Sequence, residues 1–167
     1  MSELAQSPRG ILTIALGVSV AVVAGAFLFQ YVGHLDPCEI CLVERWPYYV
    51  VIPLALLALV ARVRPPIVWL SLLALVFLDS TGLGAYHVGV EQHWISGPTA
   101  CTGTGIGVAK TVEDLKRIMQ SQQNVQCDVV QWTLFGISLA GFNFLISLGL
   151  LGMAAFGLER QWRERTP

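Results

Sequence analysis

The sequence is poor in charge. Only 13% of its 167 residues are Asp, Glu, Lys or Arg, while 54% are hydrophobic; a soluble domain carries about 25% charged residues. With so few charges and a mean hydropathy of +0.64, the chain has too little polar surface to cover a water-soluble body. It reads as an integral membrane protein embedded in the lipid bilayer. A formal net charge of −1 lacks the basic excess of a nucleic-acid binder. Cysteine is scarce as well, with four residues in all. Cys38 and Cys41 form a C-x-x-C pair, but Cys101 and Cys127 lie 26 apart, which excludes the paired short spacings of a structural zinc centre. No metal is expected. Gly103, Gly105 and Gly107 have neither the preceding strand nor the spacing of a phosphate-binding loop, and there is no internal repeat.

What the chain has in abundance is uninterrupted apolar sequence. Twenty-six uncharged residues lie between Arg9 and Asp36, 16 between Arg45 and Arg62, and 30 between Asp128 and Glu159; a further run from Pro65 to Tyr86 is interrupted by Asp79. A spanning helix needs about 20 mostly apolar residues. The second run reaches only ~24 Å at ~1.5 Å per residue, so it must begin near Cys41 with Arg45 at the interface. Asp79 is expected near a helix end or facing the bundle interior. The expected architecture is an all-α membrane protein, a four-transmembrane-helix bundle forming a single membrane domain over 1–167. Its spans fall near 11–32, 43–61, 66–86 and 132–157, with outer loops near 33–42 and 87–131. Ala24-Gly25-Ala26 has the small-residue look of a signal-peptide cleavage site, but Phe27-Leu28-Phe29 continues the apolar run past it, so the first segment is expected to be retained.

Arg9, Arg62, Arg64, Arg160, Arg163 and Arg165 all fall on one side of such a bundle and make up six of the ten basic residues. The positive-inside rule makes that side, and both chain ends, cytoplasmic. All four cysteines then lie on the outer side, where disulfides persist. Within the second loop, Thr111-Val112-Glu113-Asp114 resembles a capping box. Val112, Leu115, Ile118 and Met119 follow at helical spacing, predicting a short amphipathic helix on the membrane surface or on the loop's own core.

Several side chains are placed for chemistry. A C-x-x-C pair suits zinc, iron–sulfur or thiol redox. A helix starting near Cys41 lowers its thiol pKa through the N-terminal amides, and Arg45, four residues on, shares that face. A guanidinium there stabilises a thiolate or an oxyanion on a neighbouring ligand; equally, it serves as an anchor for lipid phosphate. A disulfide closing the loop from Cys101 to Cys127 contributes roughly 3–4 kcal/mol as a plain staple, yet the glycine-rich sequence around Cys101 suits a disulfide that is attacked and released. His87, near the outer end of the third span, is placed to approach Arg45 and donate a proton or hydrogen bond. His34 and His93 carry less. Glu44 reads as a solvated interfacial residue, and Trp46, Tyr48, Tyr49, Trp94 and Trp132 as an interfacial belt.

Four spans, an outer C-x-x-C followed by x-x-E-R, the stretch Tyr86-His87-Val88-Gly89-Val90-Glu91, and a second cysteine pair in a long outer loop resemble the DsbB family over nearly the whole chain. The resemblance implies a thiol:quinone oxidoreductase of the bacterial inner membrane, its cysteines on the periplasmic side. Such a protein reoxidises a DsbA-like periplasmic thiol oxidase and sustains disulfide bond formation. By that resemblance the partner attacks a Cys101–Cys127 disulfide at Cys101, and electrons pass to Cys38–Cys41. Cys41 then donates to the membrane quinone pool, with Arg45 and His87 on the quinone side. The acceptor implied is ubiquinone or menaquinone; a partner near about −120 mV favours the higher-potential ubiquinone. The competing reading is a non-enzymatic membrane assembly or transport subunit with two structural disulfides. A vitamin K epoxide reductase-like enzyme fits less well, because its C-x-x-C usually lies late in the chain.

Overall fold

A computed structural model describes residues 7–61, 66–98, 111–113 and 126–164. The chain runs α1 (Pro8–Tyr31), α2 (Glu39–Val43), α3 (Trp46–Val60), α4 (Pro66–Glu91), a two-residue strand pair β1 (Thr133–Leu134) and β2 (Ile137–Ser138), and α5 (Leu139–Arg163). Four helical segments are long and apolar enough to cross a membrane: α1, α2 with α3 taken together as Glu39–Val60, α4, and α5. The four-helix bundle is therefore as expected. The amphipathic helix expected from 112 to 119 lies, beyond residue 113, outside the described residues, as does Cys101.

Local chemistry sets the helix starts. Ser7 caps α1 by accepting from the Gly10 amide, with Pro8 in the first turn, and Ser138 caps α5 by accepting from Gly141; both satisfy amides that a helix start leaves unpaired. The second span is broken between Val43 and Trp46 because Pro47 has no N–H to give the preceding turn. Glu44 and Arg45 occupy that break.

The last helix starts at Leu139, not near 132, because Thr133–Ser138 forms a hairpin with Thr133 opposite Ser138 and Leu134 opposite Ile137. Phe135 and Gly136 both have positive φ (53° and 79°), as a tight primed turn requires. The third span reaches Glu91 rather than Tyr86, so His87 stands within the helix.

The core of the bundle joins Ile11, Leu12 and Ala15 of α1, Tyr48, Val51 and Ala55 of α3, Leu70, Leu73 and Phe77 of α4, and Leu150 and Ala154 of α5. The α4–α5 contact is the most extensive. It is close because Gly84 has no side chain: a Cβ there would meet the Phe144 backbone at 2.9 Å, the small-residue approach typical of membrane helices. Inward positions of α4 follow Leu70, Leu73, Phe77, Ser80, Gly84 and His87, a helical stripe. Asp79 falls outside that stripe. Contrary to expectation it is exposed, midway along α4, and faces neither the bundle nor a helix end. Leu56, Leu57, Val60, Leu75, Leu78 and Phe156 are exposed too, the apolar surface that a bilayer would cover.

Candidate active site at the mouth of the bundle

The sequence Cys38-Glu39-Ile40-Cys41 folds as the first turn of α2 with Cys38 as its N-cap. The Cys41 amide donates to Cys38 Sγ at 3.2 Å. The helix therefore starts one residue after Cys38 rather than near Cys41, and its N-terminal amide acts on Cys38. Both cysteines are free thiols; Cys38 is buried and Cys41 half-buried.

Two further residues complete a relay. His87 Nε2 lies 3.7 Å from Cys38 Sγ, and His87 Nδ1 lies 3.1 Å from Glu44 Oε1. A carboxylate has only acceptors, so Nδ1 carries the proton it shares with Glu44, and Nε2 is turned to the sulfur. This is the arrangement of an activated nucleophile: thiol, base, and a group that orients the base. Glu44 is 6% exposed, so it is not the solvated residue expected. A carboxyl group in that position needs a partner, and His87 supplies it. The hydrogen bonds of His87 go to Cys38 and Glu44, not to Arg45.

The Cys38 thiol is pulled down from 9.0 to about 5. Its hydrogen bond with the Cys41 thiol is the largest cause. The His87 side chain and the Cys41 amide add to it, and burial opposes them. Because the folded value is depressed, the stabilisation of the reduced folded form is full above 9.0 and is lost as pH falls through about 5. One thiolate thus persists in the reduced pair at neutral pH. The midpoint potential of Cys38–Cys41 is expected to fall by about 30 mV per pH unit between about pH 6 and 8, half the ~60 mV of a dithiol that takes up both protons. Redox titration of a Cys101→Ser, Cys127→Ser protein measures the slope; ~60 mV per unit would contradict the stabilised thiolate.

Cys127 of the second cysteine pair lies at the same place. Cys127 is disulfide-bonded and 1% exposed, and it packs with Cys38, Ile40 and Val90 in a small buried cluster that Cys41 and Tyr86 flank. Cys38, Cys41 and His87 also offer three donor atoms within 4.8 Å of one another. They are within reach of one metal ion, but a structural zinc takes four ligands and the neighbouring Cys127 sulfur is already bonded.

Behind Cys41 opens a cavity of about 360 Å³, lined among others by Gly25 and Phe29 of α1, Cys41, Glu44, Arg45 and Tyr48, Trp132 beside the hairpin, and Phe142 and Asn143 of α5. That volume lies in the range of small-molecule sites, and most of the wall is apolar. Arg45 donates from Nη1 to Gln30 Oε1 at 2.7 Å and stacks its guanidinium over Phe27 at 5.6 Å. The helix break separates Cys41 from Arg45, yet both face this cavity. Trp46 and Trp94 are exposed as a belt requires, whereas Tyr48 is buried at 1% and bonded to Asn143 and Ser147. His34 and His93 are exposed, each with positive φ. Sequence reasoning missed Glu44, Tyr48 and Asn143. The signal for Glu44 was its position beyond the start of an apolar span, where an unpartnered carboxylate is costly.

A family model described as "Disulfide bond formation protein DsbB" matches residues 8–157. The disulfide bond formation protein B of Verminephrobacter eiseniae is 33% identical over 97% of this chain and 94% of the relative. Its counterpart in a Polaromonas species is 30% identical over 95% of each. An uncharacterised protein of Rickettsia prowazekii is 28% identical over 83% of this chain and 80% of its own. The chain belongs to the DsbB family and is a multi-pass membrane oxidoreductase of disulfide bond formation.

Proposed function

We propose that this protein reoxidises a DsbA-like thiol oxidase and delivers the electrons to membrane quinone. It would sit in the bacterial inner membrane with its cysteines on the periplasmic side. The observation that carries the reading is one juxtaposition: Cys38 and Cys127 share a buried cluster, and Cys41 lines an apolar cavity together with Arg45. One sulfur pair thus meets both the outer disulfide and a lipid-compatible pocket.

A partner thiolate attacks Cys101 of a Cys101–Cys127 disulfide, and Cys127 leaves as thiolate; the burial of Cys127 directs a soluble partner to Cys101. The partner's second thiol displaces Cys101, so the partner is oxidised and the outer pair reduced. Cys127 then attacks Cys38 across their shared cluster, expelling Cys41 as a thiolate beside the cavity. Cys101 displaces Cys38, which restores the outer disulfide and leaves Cys38–Cys41 reduced. His87 Nε2 stands beside the Cys38 sulfur and stabilises it as a leaving thiolate, while Glu44 holds Nδ1 and orients the ring.

The cavity suits a quinone by the chemistry of its wall: apolar and aromatic surface for a ring and its tail, a guanidinium for a carbonyl oxygen, and the Cys41 sulfur at the same wall. Cys41 and Arg45 line the cavity and would hold it; His87, the third residue expected on the quinone side, bonds to Cys38 and Glu44 and would act on a bound ring only through Cys38. A quinone bound there supplies the two-electron, two-proton acceptor.

Arg45→Ala is expected to leave a folded, inserted protein whose KM for a short-chain ubiquinone rises roughly tenfold or more, from the ~1.5–3 kcal/mol of a hydrogen bond to a charged group. Steady-state quinone reduction at limiting quinone measures it. Unchanged kinetics there would remove Arg45 from the site.

A further inference from the structure

A line of polar side chains crosses the apolar bundle beside the cavity, and its direction is fixed. Tyr48 Oη donates to Asn143 Oδ1. Its only proton is then used, so it accepts from Ser147 Oγ at 2.8 Å. Ser147 in turn accepts from Ser80 Oγ at 2.8 Å. The line passes from α4 through α5 to α3 and ends on the carbonyl oxygen of Asn143. It leaves the amide nitrogen with both hydrogens: Nδ2 is buried and has no partner among the described residues. Buried donors are rarely left so, and Asn143 is itself part of the cavity wall.

We propose that Asn143 Nδ2 is a second hydrogen-bond donor for the quinone, and that the Ser80–Ser147–Tyr48 line holds the amide in the orientation that presents it. This rests on reading the cavity as a quinone site. An orphan donor in an apolar wall calls for a ligand that is mostly hydrocarbon and carries an acceptor. A quinone has two carbonyl oxygens, and this wall offers donors from two different helical segments: Arg45 at the start of α3 and Asn143 one turn into α5. A lipid chain without a carbonyl would leave Asn143 unsatisfied, so the residue discriminates for the quinone ring rather than for its tail.

The test uses the full chain in detergent with a short-chain ubiquinone isotope-labelled at its carbonyl carbons. Asn143→Leu keeps the volume and removes the donor. Binding is expected to weaken about five- to tenfold, the effect of one hydrogen bond, and the infrared band of one carbonyl is expected to move to higher frequency. Arg45→Gln is expected to move the band of the other carbonyl, and Asn143→Gln to recover part of the affinity. Asn143→Ala carries the same expectation should the leucine variant not fold. Unchanged affinity and unchanged bands in the Asn143 variants, with Arg45→Gln still effective, would overturn the role of Asn143 and leave the quinone site standing. Failure of the unaltered protein to bind the quinone would overturn the site and this proposal together.

Discussion

Cys41→Ser is expected to reduce quinone turnover to background while leaving a protein that still captures a reduced thiol partner as a mixed disulfide. The two outcomes separate because the sulfurs occupy different surroundings. Cys127 is buried against Cys38, so it keeps its place when Cys41 loses its sulfur. Cys41 lines the cavity, and serine there has a hydroxyl far too weakly acidic to replace a thiolate. Quinone reduction would be followed by ultraviolet absorbance and the mixed disulfide by non-reducing electrophoresis. Normal turnover in Cys41→Ser would exclude it as the donor; loss of the mixed disulfide as well would show that the substitution had disturbed the fold.

The second large effect concerns the relay. His87→Phe fills the buried site but leaves Cys38 without its imidazole and Glu44 without its partner. Turnover is expected to fall roughly 100-fold, the lower range of general acid–base contributions. The alkylation profile of Cys38 is expected to shift toward higher pH, because one cause of its depressed pKa is gone. Glu44→Gln retains an acceptor for Nδ1 and should fall between the two proteins. The alkylation profile separates chemistry from packing, since a merely structural role for His87 would lower stability without moving it. An unmoved profile in His87→Phe would sink the relay.

Much of this was legible in the sequence because membrane insertion writes itself in one dimension. Apolar runs between Arg9 and Asp36, or Asp128 and Glu159, admit few structures other than spanning helices, and four of them bring both cysteine loops to one end. The x-x-E-R spacing after Cys41 likewise placed Arg45 at the site. What stayed hidden depends on which helix faces which. Glu44 meets His87 across 43 positions of chain, and Tyr48 meets Ser147 across 99; no local pattern encodes either contact. Glu44 consequently looked solvated and Tyr48 like a belt residue. The hairpin was missed for another reason. Thr133-Leu134-Phe135-Gly136-Ile137-Ser138 is apolar enough to extend the neighbouring span, and only the positive φ of Phe135 and Gly136 turns it back. The exposed position of Asp79 follows from its phase relative to the stripe that ends at His87, a phase that is known only once His87 is known to face inward.

On the proposed route, electrons from an external dithiol leave through Cys41 to a quinone in the cavity. The purified protein, mixed with excess reduced DsbA-like partner and a short-chain ubiquinone under anaerobic conditions, tests it directly when partner disulfide and reduced quinone are measured together. The two are expected to appear mole for mole, and both to stop in Cys38→Ser and Cys41→Ser. Partner oxidation without matching quinone reduction would contradict the account, and the appearance of neither product from the unaltered protein would favour a membrane subunit whose disulfides are structural.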